Sequence, residues 1–273
     1  KKIGGWAKYT VTAFVGICRS LFVYSPSGAN NFMAMGTSKK IYLDTGGTLT
    51  DLTPIRLTTS AGDPRFTATD GSASISVAET SHGAIAGDYV TFSGAASLGT
   101  SNNITAAVLN QEYVIDSITS VNAFKFTATA TANANDTGDG GSSTVAKYQI
   151  NIGYDIATEG YGWGVGTWNQ SGTTWGTARP TPIYLPMRLI FFTTYYDDLV
   201  FNVIGSDIYY WVNNTSLNTR AVAMEDMGGA NEVPQEVSQI LISQDNTSNI
   251  LLALGCTPYP ASGSPPKDPL LIR

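Results

Sequence analysis

The chain has 273 residues, the length of one large or two modest domains. Only 13% of the residues are charged, about half the usual share of roughly 25%, whereas 42% are hydrophobic. This combination excludes an intrinsically disordered chain. The net charge is −6 and Lys and Arg do not cluster, which argues against tight nucleic-acid binding and against binding to anionic membranes.

The chain ends and the cysteines add further expectations. The chain starts at Lys1 without a Met and stops at Arg273 directly after an apolar run, so we expect a piece of a longer protein. No apolar run reaches the ~18 residues of a membrane helix, so membrane insertion is not expected. Cys18 and Cys256 each lie in or beside an apolar run, which predicts buried free thiols rather than a disulfide.

Strand signals follow one another along the chain almost without interruption. They are short β-branched and aromatic runs separated by Gly, Asn, Asp, Ser and Pro. The predicted strands are Tyr9–Val15, Ser20–Tyr24, Phe32–Met35, Lys40–Leu43, Tyr89–Phe92, Tyr113–Ile118, Ala123–Thr127, Leu189–Phe192, Leu199–Val203, Asp207–Val212, Ile240–Ser243 and Ile250–Leu254. The best helical candidate, Ala106–Glu112, is too short to be stable alone. The sequence therefore predicts an all-β fold.

A repeat runs through these strands. Arg19 begins a strand, a turn and a second strand that ends at Gly36, and Arg188 begins the same pattern, which ends at Gly205 after the same number of residues. A weaker copy ends at Gly255. Each copy predicts an antiparallel meander whose middle strand is apolar on both faces and must be covered on both sides, as in the stacked blades of a β-propeller. The alternative is three unrelated hairpins of a β-sandwich.

The stretch 61–147 has a different composition. It is rich in Ala, Thr, Ser and Asn, lacks Trp, and begins and ends in small polar residues, as inserted domains do at their hinges. Its alternating strands predict a small β-barrel, or a sandwich, inserted into a loop of the propeller. The predicted organisation is a blade region at 1–60, an inserted β-barrel at 61–147 and a continued blade region at 148–273.

Catalytic and cofactor chemistry finds little support in the sequence. His82 is the single histidine, and no Gly-x-Ser-x-Gly nucleophile motif accompanies it, so we expect a loop histidine that bonds a neighbouring backbone group. One histidine and two distant cysteines do not supply a zinc site. The segment Gly162–Gly166 lacks the strand and helix that flank a dinucleotide fingerprint, so no cofactor is predicted.

Acidic pairs are the remaining candidates for catalysis or for a metal site. Asp197 and Asp198 are the best pair for a glycosidase, but adjacent strand residues point to opposite faces, so solvated turn residues are expected. The same interpretation holds for the loop acids Glu225, Asp226 and Glu232. Asp136 and Asp139 weakly suggest calcium, although the spacing of an EF-hand loop is absent. No catalytic or metal residue is therefore predicted.

Three of the five tryptophans lie close together in one glycine-rich segment. Trp163, Trp168 and Trp175 are expected to pack between blades or at a subunit interface, since Trp is favoured at interfaces. The alternative is that the three rings stack on sugars or on bases.

Several motifs together resemble tail structural proteins of short-tailed bacteriophages, of the β-propeller type that forms the distal nozzle of the tail tube. They are Arg19–Tyr24, Met35–Leu43, Asp51–Pro54, Gly205–Trp211, Arg220–Ala223 and Asp268–Arg273. The segments Ser81–Gly94, Leu109–Ile115 and Gly138–Gly141 resemble a small β-barrel inserted in phage structural proteins. That barrel is similar to the first catalytic-cysteine half-domain of ubiquitin-activating enzymes, but here it contains no cysteine.

The resemblance implies a non-enzymatic virion protein located in the tail. It implies a homo-oligomeric ring that contacts other tail or adaptor proteins and through which DNA passes without specific binding. An acidic lumen suits this role because it repels phosphates and lets DNA slide. The alternative is a tail component that binds a receptor or a host surface glycan, and an enzyme acting on surface polysaccharide is a third hypothesis.

Overall fold

The computed structural model describes residues 5, 12–28, 31–99, 101–153, 158–162, 179–185, 188–214, 217–230, 232–244, 249–257 and 268–273, with only the backbone of 158–162, 179–185 and 244. Within these residues the chain is almost entirely strand, which confirms the all-β prediction. The helical elements described are one turn of α-helix, α1 (Ala106–Leu109), inside the segment that was the best helical candidate, and a 3-10 turn at Met224–Asp226. No described helix is long and apolar enough to cross a membrane.

Two compact units divide the chain. The split unit combines the chain up to Pro54 with the chain from Ile152, and the middle unit is Ile55–Asn151. The composition had placed these boundaries at 60/61 and 147/148. The middle unit is wider because a strand that begins at Ile55 pairs with the strand that ends at Gln149.

The first sheet of the split unit is an antiparallel meander in chain order. It contains β1 (Cys18–Tyr24), β2 (Phe32–Thr37), β3 (Ile41–Asp44) and β4 (Leu49–Asp51). Strand β2 is buried along nearly its whole length, as predicted for the middle strand of each repeat. The predicted strand Tyr9–Val15 is wrong for its described residues 12–15, which are not in a strand.

The other split-unit strands follow the middle unit in sequence. The hairpin β14 (Thr158–Gly162) and β15 (Arg179–Leu185) comes first, then the second sheet, β16 (Ile190–Tyr195), β17 (Asp198–Val203), β18 (Ile208–Trp211) and β19 (Val222–Ala223), and then the third sheet, β20 (Gln239–Gln244) and β21 (Asn249–Leu254). An isolated bridge joins Leu254 to Ile272. The second sheet, like the first, is an antiparallel meander, and its strand β17 is buried from Leu199 onward.

The first, second and third sheets stack face to face. Phe22 of the first sheet lies over Phe192 of the second, with ring centroids 6.4 Å apart. Gly36 lies so close to Ile190 that a Cβ atom at Gly36 would be 2.5 Å from the Ile190 Cδ1 atom. On the opposite face of the second sheet, Val200 packs in one apolar cluster with Ile240 and Ala253 of the third. This is the stacking that the repeated meanders predict.

The middle unit is built from two sheets around one core. The first of them has the order β10 (Ser117–Ser120), β11 (Ala123–Thr127), β7 (Ser74–Ala78), β6 (Arg65–Ala68) and β12 (Asp136–Asp139). The other has the order β5 (Ile55–Thr58), β13 (Val145–Gln149), β8 (Tyr89–Ser93) and β9 (Glu112–Val114). The sequence predicted one strand, Tyr113–Ile118, where the structure has β9 and β10 in different sheets.

Of the two forms predicted for the middle unit, a small β-barrel or a sandwich, the barrel is wrong. Within residues 55–99 and 101–151 the edge strands of one sheet do not pair with the edge strands of the other, so the unit is a sandwich. Aromatic rings pack together in its core. The ring centroids of Phe66 and Phe92 are 5.0 Å apart, and those of Tyr113 and Phe126 are 4.3 Å apart. Strand alternation specifies a buried face equally well for a barrel and for a sandwich.

Candidate functional site

His82 is a buried structural residue of the middle unit. Its Nδ1 atom accepts a hydrogen bond from the Ala84 N–H at 3.1 Å, and its Nε2 atom lies 3.3 Å from the Ser120 carbonyl oxygen, to which it therefore donates. Its ring packs edge-on against Phe124 and roughly parallel to Tyr148. Both ring nitrogens therefore form hydrogen bonds with backbone groups, and the sequence had predicted one such bond.

Asp197 and Asp198 lie at the turn between β16 and β17 and bind different partners. The Asp197 carboxylate accepts from the Ser27 N–H at 2.8 Å. The Asp198 carboxylate accepts from the Asn213 N–H at 2.7 Å and also from the Tyr210 hydroxyl. The two carboxylates therefore accept from different backbone segments, at Ser27 and at Asn213. They do not form the facing pair that glycoside hydrolysis needs.

The loop acids Glu225, Asp226 and Glu232 are all exposed. Burial first, and then the charges of Glu225, Glu236 and Asp226, raise the pKa of the half-buried Asp207 above its usual value. In the part of the chain that the structure describes, no group of three or more His, Cys, Asp and Glu side chains is placed to hold a metal ion. The charges of Glu225, Glu236 and Asp226 therefore repel the Asp207 carboxylate, and the described acids of this region do not form a metal site.

Asp136 and Asp139 share the edge strand β12. A hydrogen bond between the two side chains is the main cause that raises the pKa of Asp136 above its usual value. Two neighbouring carboxylates, of which Asp136 is half-buried and Asp139 is exposed, fall well short of the roughly six to eight oxygen ligands of a calcium ion. Cys18 and Cys256 are free thiols, as predicted, with Cys256 buried and Cys18 half-buried.

Trp163, Trp168 and Trp175, the residues proposed for an interface, lie outside the described residues. Trp211 is described and is buried between the first two sheets. Its Nε1–H donates to the Thr219 carbonyl oxygen at 2.9 Å, and its ring contacts Phe32 edge-on.

An ion cluster that the sequence analysis missed joins the first sheet to the second. We call Lys40, Asp51 and Arg220 the junction cluster. One carboxylate oxygen of Asp51 lies 2.8 Å from the Lys40 Nζ atom and 3.2 Å from an Arg220 guanidinium nitrogen. Arg220 also donates to the Thr53 carbonyl oxygen at 2.8 Å, and the Ala221 N–H donates to the Leu52 carbonyl oxygen at 3.1 Å.

Burial and charge act in opposite directions on Asp51. Burial, the largest single influence, would raise the pKa of Asp51, but the nearby charges of Arg220 and Lys40 and two hydrogen bonds outweigh it, so the pKa lies below the usual value. The carboxylate is therefore ionised at neutral pH and binds both cations. Lys40, Asp51 and Arg220 lie in three of the motifs that carry the phage-tail resemblance, so the sequence had singled out their segments. Nothing in the sequence indicated that the three motifs meet in the fold.

The two ends of the sheet stack expose apolar surface. In β1, Phe22 points toward the second sheet, so the neighbouring Leu21 and Val23 point away from it and are 58% and 63% exposed. In the third sheet, Ile240 packs on the second sheet, whereas Leu241 and Ile250 lie on the other face and are exposed. Exposed apolar sheet faces are typical of surfaces that become covered in an assembly.

No protein-family model matches the chain, and no curated protein matches it. Among solved structures, the chain is similar to the phage phi92 endosialidase, with 14% sequence identity and a TM-score of 0.29. The alignment covers 87% of this chain and 33% of the endosialidase, so the chain spans about a third of that protein. A superposition this loose leaves the function to be argued from the residues of the chain itself.

Proposed function

We propose that this chain is a structural, non-enzymatic component of a bacteriophage tail, in which it forms part of a homo-oligomeric ring of the nozzle or tail-tube type. One observation carries the proposal. Three sequence motifs that resemble tail nozzle proteins, around Lys40, Asp51 and Arg220, converge on the junction cluster between two stacked sheets. Residues far apart in sequence thus serve one purpose, which is to hold neighbouring meanders together.

The environment of the acid and base candidates supports a structural role. His82 is buried with both ring nitrogens hydrogen-bonded to the backbone, and the carboxylates of Asp197 and Asp198 bind separate backbone segments. A general acid or base must reach a substrate proton, and these groups are occupied by the fold.

Charge and exposed surface support a ring that passes DNA. The net charge of −6 disfavours phosphate binding, which suits a conduit along which DNA slides. The apolar end faces around Leu21 and Ile250 offer surface for contacts with other copies or with adaptor proteins. We assign the tryptophan segment to the same kind of contact.

The purified chain tests the proposal directly. Light scattering after size-exclusion chromatography is expected to detect a closed oligomer, and electron microscopy is expected to show it as a ring. A glycan array should detect no binding, and incubation with surface polysaccharide should release no reducing sugar. Glycan binding by a chain that forms no ring would favour the receptor-binding alternative, and sugar release would establish an enzyme.

A further inference from the structure

Glu79 places a carboxyl group inside the middle unit. In β7, Ile75 and Val77 point into the core, and Glu79 continues the same alternation just beyond the end of the strand. The side chain is only 7% exposed. The Glu79 N–H donates to the Asn122 carbonyl oxygen at 2.9 Å, so the backbone holds the residue in this inward position.

Two buried polar atoms near this position have no partner. Within residues 55–99 and 101–151, the Oε2 atom of Glu79 and the hydroxyl of the fully buried Tyr148 make no hydrogen bond. An ionised carboxylate with one oxygen buried and unpartnered is costly, whereas a neutral carboxyl costs much less. The site therefore favours the protonated form of Glu79.

The charged and titratable neighbours do not compensate an ionised Glu79. Asp63, on the loop before β6, is a second carboxylate and opposes ionisation. The Arg56 guanidinium from β5 lies 5.3 Å above the Tyr148 ring and donates to the His82 carbonyl oxygen at 2.9 Å. The His82 ring is itself hydrogen-bonded on both sides to the backbone.

We propose that Glu79 is a proton-dependent switch of the middle unit: its carboxyl is neutral when the sandwich is tightly closed, and its ionisation loosens the end of the sandwich that contains Tyr148 and His82. This inference is independent of the proposed tail function. Burial first, and then the Asp63 carboxylate, raise the pKa of Glu79 from 4.5 to about 7. Burial also raises the pKa of Tyr148, so its hydroxyl stays protonated while Glu79 titrates.

The sign of the pH effect follows from proton binding. Between the unfolded pKa of 4.5 and the folded pKa of about 7, the folded chain retains a proton that the unfolded chain has lost. The middle unit is therefore most stable on the acidic side of this window and loses that stability as the pH rises through 7. As the pH rises through this window, the unfolding equilibrium constant of the middle unit should rise by roughly tenfold to hundredfold. This is less than the full pKa shift would give, because solvent screens part of the interaction.

The full chain and two variants test the switch. Carboxyl NMR of the wild type should show one glutamate that titrates near pH 7, and Glu79→Gln should remove this signal. Urea unfolding followed by circular dichroism should show a stability that falls between about pH 4.5 and 7 in the wild type and that changes much less in Glu79→Gln. Asp70→Asn is the matched control, because it exchanges an exposed carboxylate of the same unit and should keep the wild-type dependence.

A second variant keeps the test decisive if Glu79→Gln does not fold. Asp63→Asn removes the opposing charge and should lower the titration midpoint of Glu79 while leaving the fold intact, since Asp63 is exposed. A midpoint near 4.5 in the wild type, or an unchanged pH dependence in a folded Glu79→Gln, would overturn the proposal. An unchanged midpoint in Asp63→Asn would contradict the assigned cause.

Discussion

Replacing Asp51 by Asn should loosen the contact between the first and second sheets. The substitution keeps an oxygen that can accept from the Thr53 N–H but removes the charge that binds Lys40 and Arg220. The Lys40 side chain is only 5% exposed, so its buried ammonium group would lose the attraction of the Asp51 carboxylate. Breaking a fully buried ion pair costs about 3–5 kcal/mol. Because Asp51 and Arg220 remain 22% and 29% exposed, we expect the free energy of unfolding to fall by about 2–3 kcal/mol.

Tryptophan fluorescence isolates this effect. Trp211 lies between the first two sheets and the middle unit contains no tryptophan, so a urea titration followed by this signal reports on the split unit, to which the junction cluster belongs. Asp70→Asn, an exposed carboxylate-to-amide exchange in the middle unit, is the control and should change the transition by less than about 0.5 kcal/mol.

A double variant separates the effect of the lost Lys40–Asp51 attraction from the effect of lost packing. Adding Lys40→Met to Asp51→Asn removes the buried ammonium group that has lost the Asp51 carboxylate, and it should recover a large part of the loss because Met keeps most of the buried stem. The pKa of Asp51 is lowered in the folded chain, so its contribution is present above the usual value of 3.8 and is lost as the pH falls below it. A single variant within about 0.5 kcal/mol of the wild type, or a double variant less stable than the single, would refute this reasoning.

Three further predictions concern packing and assembly. Gly36→Ala should destabilise the split unit by about 1–3 kcal/mol because its Cβ meets Ile190, and Ile190→Val should relieve part of the loss; an unchanged tryptophan transition would contradict the close approach. Trp168→Ala should weaken assembly of the ring, measured by light scattering, without changing host range; altered adsorption with intact assembly would instead favour glycan binding. Replacing residues 55–151 with a short linker should leave the tryptophan transition of the split unit intact, and its loss would show that the units do not fold independently.

Local sequence patterns predicted much of the split unit. The repeat anticipated antiparallel meanders whose middle strands are apolar on both faces, and β2 and β17 have this character. Such strands are recognisable because neither face tolerates a polar run, and the turns between them are rich in Gly, Asn and Asp. Packing explains the repeat glycine at Gly36, because Ile190 occupies the space that a side chain there would need.

Contacts between distant segments were not predictable in the same way. Asp51 and Arg220 are 169 residues apart, and their separate motifs carry no information about which sheet packs on which. Glu79 had no visible signal, because a single acidic residue after a strand is usually a solvated turn residue. The alternation in the middle unit identified its buried face but not whether the sheet edges would meet. The sequence therefore left a barrel and a sandwich both open, and the preferred barrel is wrong.

Reconstruction of the parent virion at side-chain resolution tests the proposed function most directly. The stack of three antiparallel sheets, with Trp211 between the first two, gives a distinctive density in which this chain can be recognised. The proposal predicts several copies around the tail axis, arranged as a ring that encloses the path of the DNA. Density for this chain in a peripheral fibre or spike, away from the axis, would contradict a nozzle or tube role and would favour receptor binding.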